Sequence, residues 1–93
     1  MRFNSIVFTK SEEKIPQYFF HKLLKEKGKF YFLDDSVAFI ERININELDK
    51  KKIFVFCSYG LKKRGYKFDD RFIISGLAYL SKFIEESDNL LII

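Results

Sequence analysis

FYFLDDSVAFIERI, residues Phe30–Ile43, is the stretch whose reading decides the fold. Phe30 to Leu33 is aromatic and β-prone, Asp34-Asp35-Ser36 is a cluster of turn formers, and Val37 to Ile43 returns to apolar residues. So read, the segment is a β-hairpin, and a hairpin makes its sheet antiparallel at that place.

The flanks agree with a small sandwich. Upstream, Phe3 to Phe8 is a short strand whose Ile6-Val7-Phe8 centre shows no polar alternation, as in a covered strand. Pro16 suits the first turn of a helix. From there Phe19, Phe20, Leu23 and Leu24 form one apolar stripe with Lys22, Lys25 and Lys27 turned to water, and Gly28 stands where a left-handed cap would end it. Downstream, Asn44 to Lys52 reads as a loop or a single turn, and Ile53 to Tyr59 as a strand. Asp69 or Asp70 can cap a second helix in which Phe72, Ile73, Leu77, Leu80, Phe83 and Ile84 recur with a helical period. Ser87-Asp88-Asn89 ends it, and Leu90 to Ile93 is a last strand, so bare of polar residues that burial is expected.

Strand, helix, three strands, helix, strand resembles a ferredoxin-like βαββ(β)αβ sandwich. The expected class is therefore α+β, with a mostly antiparallel sheet of four or five strands and both helices on one face. The 93 residues form one domain, 1–93, able to bury roughly 60 to 65% of the surface of its unfolded chain. Twelve Phe and no Trp make Phe the main packing residue, and 47% hydrophobic content excludes a disordered chain.

Charge points to partners. Lys and Arg exceed Asp and Glu by four, a mild basicity that suits an anionic partner without requiring one. The cations cluster at Lys50, Lys51 and Lys52 and again at Lys62, Lys63, Arg64 and Lys67, where Tyr59 or Tyr66 could offer a stacking face. A lone cysteine, Cys57, makes no internal disulfide, which favours a cytoplasmic location. Ile6 to Phe8 is too short for a signal peptide and no run approaches a membrane span, so no membrane partner is expected.

Sharper chemical motifs fail on spacing. The run from Cys57 resembles the Cys-x5-Arg phosphate loop of cysteine phosphatases and rhodaneses, but Lys63 stands at the arginine position and Arg64 is one residue late. Arg64-Gly65-Tyr66-Lys67-Phe68 resembles part of the RNP1 signature of RRM domains, yet Lys67, Asp69 and Arg71 depart from it. The RNP2-like Ile53-Phe54-Val55 also lies on the wrong strand. Asp34-Asp35 and Asp69-Asp70 go where Asp makes local turn and cap bonds, and His21 is a lone imidazole without a relay. No catalytic residue, metal or cofactor is therefore assigned.

The reading is a non-catalytic basic module that contacts the backbone of RNA or DNA through Lys62, Lys63, Arg64, Tyr66 and Lys67, helped by Lys50, Lys51 and Lys52. The alternative is a small adaptor or inhibitor, of the kind a phage or other mobile element encodes. It would dock on a larger protein through an aromatic sheet face or the strand Leu90 to Ile93, which could also complete a sheet across a homodimer.

Overall fold

The structure, a computed structural model, describes residues 3–41, 43, 52–67 and 72–93. In chain order it contains β1 (Phe3–Phe8), α1 (Gln17–Glu26), β2 (Lys29–Phe32), β3 (Ile53–Cys57), α2 (Ser58–Lys63), β4 (Ile73–Ser75), α3 (Ala78–Glu85) and β5 (Ser87–Ile92), with 3₁₀ segments at Glu12–Lys14 and Asp34–Glu41. The sheet has five strands in the order β4-β3-β2-β1-β5. Every pairing is parallel. The fold is therefore α/β, which overturns the antiparallel ferredoxin-like expectation.

The correction begins at Asp34. Its φ of 51° turns the chain out of β2, and Asp34–Glu41 coils into 3₁₀ structure where a return strand was expected. Ser36 holds this start: its backbone N–H donates to the Leu33 carbonyl at 3.0 Å, and its Oγ reaches the Phe8 carbonyl at 2.7 Å. Val37, Phe39 and Ile40 are buried, so the apolar residues that read as a strand are the inner face of a helical segment. β3 then lies parallel to β2, from Lys29↔Ile53 to Phe32↔Phe56.

A second correction concerns residues 72–85. Ile73–Ser75 is an edge strand, Gly76 follows, and the helix begins only at Ala78. The helical spacing of Phe72 and Ile73 with Leu77 is coincidental, because β-branched Ile73 and Ile74 before Ser-Gly equally suit a short strand. The proposed caps Asp69 and Asp70 lie outside the described residues. α1 begins after Pro16 as its stripe predicts, with Phe20 and Leu23 buried. Gly28 is no left-handed cap, since among the described glycines only Gly65 has a positive φ.

Strand alternation sorts the core into two faces. Phe8, Phe32 and Phe56 stack across three strands at 5.0 and 4.5 Å, Phe30 stacks on Phe54 at 4.7 Å, and Phe20 of α1, Phe39 and Phe72 close over this row. The opposite face carries Ser5, Lys29 and Tyr31, and Phe83 of α3 meets Tyr31 edge-on at 5.3 Å. α1 and α3 thus cover opposite faces, not one. Topology explains this: right-handed crossovers stepping from β1 to β4 in one direction put their connections on one face, and the return from β4 to β5 needs the other.

β5 is also not the buried strand expected. It lies at the sheet edge, with Leu91 38% and Ile92 61% exposed. Among the described residues no helix is long and apolar enough to cross a membrane.

Candidate nucleic-acid interface

The basic stretch after β3 is a helix before it is a loop. Cys57 takes the N-cap position and α2 starts at once with Ser58. Gly60 and Leu61 form its inner face; a Cβ on Gly60 would lie 3.0 Å from Val37 Cγ1, so α2 packs closely on the 3₁₀ segment. Tyr59, Lys62 and Lys63, spaced one turn apart, are all exposed and share the outer face. Lys63 Nζ sits 5.9 Å from the centroid of the Tyr59 ring.

The end of α2 is built by backbone. The Tyr66 N–H donates to the Leu61 carbonyl at 3.0 Å and the Gly65 N–H to the Lys62 carbonyl at 3.2 Å, the pair of bonds that defines a Schellman ending. That ending needs a left-handed residue, and Gly65 supplies it at φ 75°. Tyr66 is thereby folded back, half-buried against the core. Among the described rings of this region, Tyr59 is the exposed one.

The other named cations divide. Lys67 is exposed. Arg64 reaches across to Asp35, Nη2 to Oδ1 at 2.8 Å, and ties the end of α2 to the start of the 3₁₀ segment. Lys52 donates to the carbonyls of Leu24 and, at 2.9 Å, Lys25, so it closes the C-terminus of α1, where a positive charge also suits the helix dipole. Lys50 and Lys51 lie outside the described residues. Of the six described candidates, Lys62, Lys63 and Lys67 are outward cations, Arg64 and Lys52 make structural contacts, and Tyr66 is half-buried.

Sequence reasoning missed the place where these side chains stand. The connection leaving β3 runs to the phenylalanine face and the one leaving β4 to the opposite face, so the chain parts where Cys57 pairs with Ser75. The reversal of strand order, at which open parallel sheets bind ligands, lies elsewhere in this sheet, between β1 and β5. Tyr59 comes two residues after Cys57, and Gly76 comes directly after Ser75. The signal is hidden in the sequence because the spacing of Ile73–Ser75 reads as helix.

The remaining candidate groups stay apart. Cys57 is buried and unbridged, and His21 is exposed on α1 with the Phe20 ring 6.2 Å away. Among the described residues no three His, Cys, Asp or Glu side chains converge to hold a metal ion. No protein-family model, curated protein or solved structure matches the chain.

Proposed function

We propose that this protein is a non-catalytic binding module that holds RNA or DNA by its backbone along the outer face of α2. The observation that carries the reading is the grouping of Tyr59, Lys62 and Lys63 on one exposed helical face, with the Lys63 ammonium near the Tyr59 ring. An unpaired base stacks on the tyrosine while the lysines, with Lys67, neutralise the adjoining phosphates. The site suits a single strand better than a duplex, because stacking needs a base out of its helix. A cytoplasmic location goes with this partner and with a free thiol at Cys57.

Fluorescence anisotropy with a labelled single-stranded oligonucleotide tests it. Affinity should fall with salt at a log–log slope of about −0.7 for each phosphate contacted. The double variant Lys62→Glu, Lys63→Glu should abolish binding and Tyr59→Ala should weaken it several-fold, whereas Lys22→Glu, on α1, should leave it unchanged. Absent binding, or binding indifferent to salt, would discard the reading.

A further inference from the structure

β5 and β4 are the two edges of the sheet, and they are not alike. β4 is three residues long, a short edge of the kind that resists further pairing. β5 is six residues long and, from Ser87 to Ile93, has no Lys, Arg, Pro or Gly to guard it. Its irregularity against β1 is confined to the start, between Phe3 and Asn4.

The hydrogen bonds tell which groups face outward. Ile93 donates to the Val7 carbonyl at 2.9 Å and accepts from the Thr9 N–H at 2.7 Å, so both of its main-chain groups turn toward β1. Alternation puts Asn89 and Leu91 on that inner side and points the N–H and C=O of Leu90 and Ile92 away from the sheet. The side chains beside them are apolar and open, with Ile92 61% exposed and Leu91 38% exposed.

We propose that β5 pairs antiparallel with β5 of a second copy of this chain, about a two-fold axis at Leu91, to make one continuous ten-stranded sheet. In that register Leu90 exchanges both main-chain bonds with Ile92 of the other copy and Ile92 with its Leu90, so four outward groups on each side are satisfied. Leu91 meets its own copy at the close, non-bonded position. The strand is self-complementary about Leu91: no cation lies in it, and each Leu90 faces an Ile92, apolar against apolar. A two-fold pairing covers both β5 edges and closes, whereas a free edge of this composition would template open association.

Light scattering on the eluting protein should give a mass about twice 11.2 kDa. Ile92→Pro removes an outward N–H that the fold does not use, and Ile92→Lys places a charge on the edge; each should give a monomer with an unchanged far-ultraviolet spectrum. Leu91→Cys should cross-link two copies on mild oxidation, since Cys57 is buried and does not compete, while Asn89→Cys should not. The cross-linking arm decides the question even where an Ile92 variant misfolds. A wild-type chain that stays monomeric, a dimer indifferent to both Ile92 variants, Leu91→Cys cross-linking no faster than Asn89→Cys, or a different protein occupying this edge would each overturn the proposal.

Discussion

Lys29 Nζ lies 3.3 Å from a Glu86 carboxylate oxygen and 4.5 Å from the centre of the Phe83 ring, although Lys29 is only 1% exposed. A lysine at the start of β2 is thus housed beneath the last turn of α3. The negative end of that helix and a ring face both favour the cation.

Removing one partner of a buried charge leaves it poorly compensated, but Glu86 is 41% exposed, so water shares its role. Glu86→Ala should lower unfolding stability by about 1 to 2 kcal/mol. Lys29→Met keeps the apolar stem and removes the charge, and should cost less than Glu86→Ala or raise stability. Urea denaturation of both variants gives the ranking; the reverse order would show that the ammonium is a net stabiliser there.

Tyr31 should make the protein alkali-sensitive. Its phenol, fully buried and donating to the Gly76 carbonyl at 3.0 Å, is pushed up to about 12, first by burial and then by Cys57 and Tyr79. Because the folded value lies above the unfolded value of about 10, the contribution is complete below pH 10. It is lost as pH rises from there through 12. The expected loss over that window is about 3 kcal/mol. Tyr31→Phe should lose about 1 kcal/mol at neutral pH and flatten the alkaline slope; an unchanged slope would remove Tyr31 as its source.

Two glycines of the α2 region should respond to alanine for different reasons. At Gly60 the new methyl would meet Val37 Cγ1 at 3.0 Å, and Val37 is fully buried and β-branched, with little room to turn. Overpacking should outweigh the gain in helix propensity, for a net loss of about 1 to 2 kcal/mol. At Gly65 nothing stands within 4 Å, so only the φ of +75° is penalised, by about 1 kcal/mol. Thermal melts should also show that Gly65→Asn is milder than Gly65→Ala, since Asn tolerates the left-handed region.

Legibility differs by element. α1 is readable because Pro16 and the Phe20, Leu23 stripe are local signals that its packing then obeys. β1 and most of β3 are readable from their apolar runs, although helix begins at Ser58 where the residues read as strand to Tyr59. Asp34-Asp35-Ser36 correctly marks a turn but leaves the next segment open, since Val37, Phe39 and Ile40 can bury themselves from a strand or from a 3₁₀ segment. The cations are visible as residue types only. Which of them point outward depends on distant partners, Asp35 for Arg64 and the end of α1 for Lys52.

From the sequence alone come a Phe-rich chain, its apolar segments, one amphipathic helix and a basic stretch after β3, because each rests on composition or on contacts a few residues long. Only the tertiary structure decided that all the strands run parallel, that α3 crosses the face opposite α1, and that β5 lies at an open edge. Strand direction and order are set by pairings such as Ser5 with Lys29 and Val7 with Ile92, which join residues far apart in the chain. No local pattern records such a partner, and the same apolar strand serves an antiparallel sandwich or a parallel sheet equally well.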